Sequence, residues 1–155
     1  MKPIRILLVP VDFSANSEQA LSYAVHLAKL LGAEVHLLHT YLATLGMVAP
    51  YGEVLPANFA VDLRAAAVAK LDQLRTKVAG RGVETHVHLR EAPPSVAICD
   101  VAAELGVDLI VMGTRGLSGL KHVLLGSVAE RTVRNAPCPV LTIKGDPDKS
   151  ETPAA

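Results

Sequence analysis

The residues whose types and spacing could do chemistry lie in one stretch, Gly113-x2-Gly116-x9-Gly126-Ser127. Glycines permit positive φ and let a backbone come close to a ligand. The apolar run Leu109-Ile-Val-Met112 ahead of them reads as a fully buried strand. Behind them, Ser127-Val-Ala-Glu130 has the spelling of a capping box and predicts a helix start. A strand, a glycine-punctuated loop and a helix N-terminus together make a place for an anion. The first amides of a helix lack intrahelical partners, and the positive end of its dipole favours a phosphate. The stretch is therefore read as a loop that holds the phosphates of a nucleotide. It is neither a Walker A loop, since no Gly-Lys-Ser/Thr follows, nor the dinucleotide GxGxxG. The competing reading is that Gly113, Gly116, Gly119 and Gly126 only supply turns and Ser127 only caps. Capping and ligation are compatible, because a hydroxyl can accept from the Glu130 amide while donating to a phosphate.

Other candidates are weaker. Arg115, inside the loop, could reach a γ-phosphate or simply be solvated, whereas Lys121 and His122 are expected at the surface. His86 and His88 fall on one face of a strand at a spacing metals use, but no carboxylate or cysteine lies nearby in sequence, so no metal site is assigned there. His36 and His39 are expected to be packed or exposed. Cys138, between prolines, is expected to pack.

The elements that must position the loop follow from periodicity. Strands are predicted at Ile4–Val9, Val35–His39, Val83–Leu89, Val107–Met112 and Val140–Ile143. Helices are predicted from the Asp12–Ser17 turn (with Asn16 and Gln19 as one candidate cap) to a stop at Gly32, and from Phe59 to Gly80-Arg-Gly82. Two more run from Pro93-Pro94 to Gly106 and from Ser127 to about Asn135. Residues 42–56, with Gly46, Pro50, Gly52 and Pro56, form a long loop of the kind that is often a lid or partner surface. The alternation predicts an α/β fold of Rossmann-like type: one five-stranded parallel sheet with helices on both faces. With order 3-2-1-4-5, strands one and four are neighbours at the switch point, and the loops at Asp12 and Gly113 face each other. One domain is expected over 1–144, with 145–155 a disordered tail.

Composition narrows the function. Half of the 155 residues are apolar, yet there are only 2 Phe, 3 Tyr and no Trp, so the core is aliphatic. Equal numbers of basic and acidic residues, 15 each, argue against nucleic acid or an anionic membrane as partner. The 2 cysteines form no CxxC and call for no disulfide. Lys2 and Arg5 precede an apolar stretch too short for a signal peptide, and no run approaches a membrane span. A cytoplasmic protein is expected.

The spacing Gly113-x2-Gly116-x9-Gly126-Ser127 resembles the ATP-binding signature of the universal stress protein family. So do Val11-Asp-Phe-Ser14 with Ser17 and Ala20-Leu21, Leu37-Leu-His39, and Ala136-Pro-Cys-Pro-Val140. The resemblance spans roughly residues 4–144. It implies a small α/β subunit that binds ATP or a related adenine nucleotide (AMP or ADP) and forms a homodimer. The family's contacts map onto Val11, Asp12, Thr40, and Met112 through Gly116, including Gly113 and Arg115, with Gly126, Ser127 and Val128 taking the phosphates. Thr40 would offer backbone groups to adenine, Met112 an adaptable apolar wall. Asp12 suits ribose hydroxyls or a nucleotide-bound Mg²⁺, or else caps a turn. The chain departs from the family at Glu91-Ala92-Pro93-Pro94, where Gly-x-Pro is usual, so that loop is expected to be reshaped.

Three functions follow: a nucleotide-binding stress-response regulator with slow hydrolysis at most, an ATP hydrolase or phosphotransferase using Asp12 and Arg115, or a dimeric interaction module without nucleotide. No base or second acidic residue for activating water is evident. The apolar final strand, Val140–Ile143, would be an exposed edge unless a second copy or another protein covers it.

Overall fold

The computed structural model describes residues 2–42, 58–116 and 125–145. Its element order is β1 (Ile6–Pro10), α1 (Ala15–Leu31), β2 (Glu34–Tyr41), α2 (Phe59–Ala79), β3 (Thr85–Glu91), α3 (Pro94–Leu105), β4 (Leu109–Gly113), α4 (Ser127–Asn135) and β5 (Val140–Ile143). The strands form one parallel sheet in the order β3-β2-β1-β4-β5. This is the predicted architecture.

Side chains alternate across the sheet, so each strand feeds two cores. Leu7, Val9, Val35, Leu37 and Val111 join Ala24, Val25, Leu71 and Val78 of α1 and α2 on one face. Leu8, Leu38, Ile110 and Met112 join Ile98, Val101 and Ala129 of α3 and α4 on the other. Because β1 pairs with both β2 and β4, its end lies where the strand order reverses.

Boundaries differ from the periodic reading where helix caps claim apolar residues. Gly106 adopts the left-handed conformation (φ 63°), and the next amide, Val107, donates back to Ala102 C=O at 3.0 Å. Val107 is thereby the apolar partner that closes a helix C-cap rather than the first residue of β4. Gly32 and Ala33 end α1 in the same manner, with Ala33 N–H donating to Ala28 C=O at 3.0 Å. At β3 the chain reaches the ladder two residues later than expected, although Val83 is already buried.

The N-terminus of α1 is capped by Ser14, whose side chain accepts from the Ser17 amide, and not by Asn16. The expected capping box at α4 does not form: Gly126 is the N-cap, Ser127 is the first helical residue, and Glu130 instead pairs with Arg134 at 2.9 Å. Among the described residues no helix is long and apolar enough to cross a membrane. Gly119, Lys121, His122, the loop at 43–56 and residues 146–155 lie outside the described residues.

Candidate functional site

At the carboxyl ends of β1, β2 and β4 a cavity of about 390 Å³ opens, within the range of small-ligand pockets. All ten residues singled out as candidates line it: Val11, Asp12, Thr40, Met112, Gly113, Arg115, Gly116, Gly126, Ser127 and Val128. Residues from the first turn and from the glycine loop, about a hundred positions apart in sequence, thus meet at the switch point.

The glycines are there for space, not for unusual torsion. Positive φ among the described glycines occurs at Gly32, Gly82 and Gly106, and at none of the loop glycines. A β-carbon on Gly113 would stand 2.8 Å from Asn16 Nδ2, and one on Gly126 would stand 3.1 Å from Thr114 O. Asn16, reaching from α1, donates from Nδ2 to the Arg115 carbonyl at 2.9 Å and so ties the loop to the helix. Gly126 N–H donates to Thr114 C=O at 2.7 Å, which brings the start of α4 against the end of β4. Of the two roles expected of these glycines, positive φ is not used at Gly113, Gly116 or Gly126, and close approach is.

Helix α4 makes its first internal bond from Glu130 N–H to Gly126 C=O at 2.9 Å. The amides of Ser127, Val128 and Ala129 precede that bond and have no partner farther back in the helix. No side chain caps them, and all three residues line the cavity. Donors and the positive end of the dipole are thus directed at the same space.

The first turn is shaped by Phe13, the only positive-φ residue other than glycine among the described residues (φ 63°). A bulky residue in that region is sterically costly. Its ring lies against His39 (centroids 4.4 Å apart) and under Lys70 Nζ at 5.2 Å. His39 Nδ1 lies 2.7 Å from the Val11 carbonyl. A carbonyl can only accept, so Nδ1 carries the proton. The twist at Phe13 lets Ser14 donate from its amide (3.0 Å) and its hydroxyl to Asp12 Oδ1.

Several lining residues escaped the sequence reading: Ser17, Leu38, Pro94 and Ile98. Pro94 and Ile98 sit one helical turn apart at the start of α3, a spacing that could have revealed them. Thr114, inside the expected Met112–Gly116 stretch, also lines the cavity. Its Oγ1 is buried and has no hydrogen-bond partner among the described residues. Ala92 keeps an ordinary backbone, with no positive φ, and the helix after it still delivers Pro94 to the cavity. Both thiols are pushed upward in pKa, Cys99 by burial and then Asp100, and Cys138 chiefly by burial. Cys138 packs against the second core, as expected.

His36, His86 and His88, on β2 and β3, lie apart from this cavity. The parallel register places His36 opposite His86 and Leu38 opposite His88. The expectation that no carboxylate lies nearby in sequence is corrected by Glu84, two residues before His86 and with its Oε1 3.2 Å from His86 Nε2. Glu34 also comes across from β2, its Oε1 at 2.9 Å from His36 Nε2 and its Oε2 at 3.8 Å from His86 Nε2.

Comparison with known proteins agrees with this architecture. The model of the universal stress protein family matches residues 3–144. Universal stress protein MJ0531 of Methanocaldococcus jannaschii is 36% identical over 143 residues, covering 89% of this chain and 81% of that one. The solved structure of MJ0577, from the same organism, superimposes with a TM-score of 0.82 at 28% identity, over 94% of this chain and 99% of that chain. A universal stress protein from Archaeoglobus fulgidus, solved in complex with dAMP, superimposes with a TM-score of 0.62 at 25% identity, over 93% and 100% of the two chains.

Proposed function

The chain belongs to the universal stress protein family, and from that premise we propose that it is a regulatory protein that binds ATP or a related adenine nucleotide. The observation that carries this reading is the meeting of the Asp12 turn, the Gly113–Gly116 backbone and the uncapped start of α4 around one cavity. The dAMP complex of the Archaeoglobus fulgidus relative supports an adenine nucleotide as the ligand class.

The residues fit such a ligand. The Ser127, Val128 and Ala129 amides and the loop backbone would take phosphate oxygens, each favourable charge–dipole contact contributing about 0.3–1 kcal/mol. Val11, Thr40 and Met112 would hold the base, with backbone groups at Thr40 giving direction and the apolar neighbours giving contact area. Asp12 would face the sugar or a Mg²⁺ carried by the nucleotide.

Holding, not turnover, is the favoured role. Oδ1 of Asp12 already accepts two bonds from Ser14, so that oxygen is engaged as a structural acceptor. Occupancy would then act by changing the surface around the loop. The test is equilibrium binding of ATP with Mg²⁺ to the purified protein, together with anion exchange of the supernatant after denaturation. Saturable binding and a co-purified adenine nucleotide are expected. Absence of both at millimolar nucleotide overturns the proposal and leaves the interaction-module reading.

A further inference from the structure

We propose that Glu34, His36 and His86 form a binding site for a divalent transition ion of zinc type, near the start of β2 and β3. Among the described residues this is the one grouping of three such side chains whose ligand atoms all lie within 4.8 Å of one another. The period of two along a strand brings it about. Glu34 and His36 share a face of β2, and the register sets His86 directly beside His36. That face is the one on which Leu38 joins the α3 core, and the cluster continues the row outward.

The spacing suits coordination. Bonds of about 2.0–2.1 Å in tetrahedral geometry put ligand atoms about 3.4 Å apart. The separations here, 2.9 Å from His36 Nε2 and 3.8 Å from His86 Nε2 to the two Glu34 oxygens, bracket that value. Closing one and opening the other needs only side-chain adjustment on two paired strands. Two imidazoles and a carboxylate are a borderline donor set, favouring zinc and its neighbours over calcium or magnesium, which take all-oxygen sites. Glu84, whose Oε1 is 3.2 Å from His86 Nε2 and whose side chain is 70% exposed, lies outside that grouping, so water would complete the shell.

His88 supplies an outer support. Its Nε2 lies 2.8 Å from His36 Nδ1, and the two rings stack with centroids 5.1 Å apart and an interplanar angle of 10°. With Nδ1–H of His36 donated to His88, the Nε2 lone pair of His36 faces the ion, the arrangement in which a second partner fixes a ligating imidazole. A hydrogen-bonded cluster without metal would account for the buried His36. It would not require the half-exposed His86 to converge with it on one glutamate.

The test uses the full chain, stripped with a chelator, and measures zinc uptake from zinc chloride against a chromogenic competitor. Cobalt(II) absorption serves as a second readout of coordination number. The expected result is one equivalent bound at micromolar zinc or below, with a four-coordinate cobalt spectrum. His86→Gln, at an exposed position that leaves folding intact, and Glu34→Gln should each weaken uptake at least tenfold without changing the metal-free melting temperature. His88→Gln should weaken it roughly tenfold to a hundredfold through loss of the outer support. No saturable uptake at micromolar zinc overturns the proposal. So does uptake that survives His86→Gln, or that is lost instead on Cys99→Ser.

Discussion

Gly116 passes so close to Asp12 that a β-carbon on it would stand 2.8 Å from the carboxylate Oδ2. The obstacle is the tip of a side chain, so Gly116→Ala should cost little in folding. It should act on the ligand instead, by turning Asp12 out of its place. The expected outcome is about a tenfold loss of nucleotide affinity, equivalent to about 1.4 kcal/mol, with a nearly unchanged melting temperature. Isothermal titration beside thermal denaturation checks both halves.

Gly113→Ala should behave in the opposite way. Its β-carbon would meet Asn16 Nδ2 at 2.8 Å and Arg115 O at 3.3 Å, and Asn16 is held by its bond to that same carbonyl. Overpacking against fixed neighbours typically costs about 1–3 kcal/mol. Urea denaturation should show that loss, and a variant as stable as the parent would contradict the tie between α1 and the loop.

The two serines at helix starts should separate by role. Ser14 caps α1 through its side chain, so Ser14→Ala should destabilise by about 1 kcal/mol. Ser127 makes no cap, and Ser127→Ala should leave stability within about 0.5 kcal/mol, as for an ordinary surface site. Any loss on Ser127→Ala should fall on nucleotide binding. Equal stability losses in both variants would contradict the placement of the cap at Gly126.

Asp108 gives a pH signature. Its carboxylate takes a bond from Lys2 Nζ at 2.7 Å and from the Arg5 and Ile6 amides at 2.8 and 3.0 Å. The Lys2 bond first, then the two amides, hold its pKa below the ordinary 3.8. A lowered folded-state pKa stabilises above the unfolded value, and that share is lost as pH falls through the folded value. Asp108→Ala should therefore cost about 1 kcal/mol at pH 7 and flatten the acid limb of stability against pH. Chemical denaturation from pH 7 down to about pH 3 in both proteins reads this directly.

The edge strand β5 predicts a dimer. Among the described residues it pairs only with β4, and Leu141 on it is 36% exposed. A second copy laid along the same edge would satisfy the unpaired backbone groups. Light scattering should give a dimer for the parent chain and a monomer for Leu141→Lys. A monomeric parent at micromolar concentration rejects the arrangement.

Much of this molecule was legible because its signals were local. Continuous aliphatic runs marked the strands, and glycines at 32, 82 and 106 marked the stops, where they do adopt positive φ. The strand order then brought Asp12 to the Gly113 loop. What escaped depended on contacts between distant segments. The helix starts at Ser127 as expected, but the cap falls one residue earlier, at Gly126, whose N–H bonds to Thr114 C=O. Glu34 is invisible as a partner of His86 until β2 and β3 are put in register. Nothing in the one-dimensional pattern marks Phe13, since an aromatic residue carries no preference for the left-handed region.

That inverted backbone at Phe13 has an evolutionary consequence. The position is bound from two directions, because the torsion invites glycine or asparagine while the contact with His39 demands a ring. β-Branched replacements satisfy neither and should be absent among working variants. A glycine there would trade the aromatic contact for an easier torsion, leaving the corner that aims Asp12 less firmly set while the sheet beneath stayed intact.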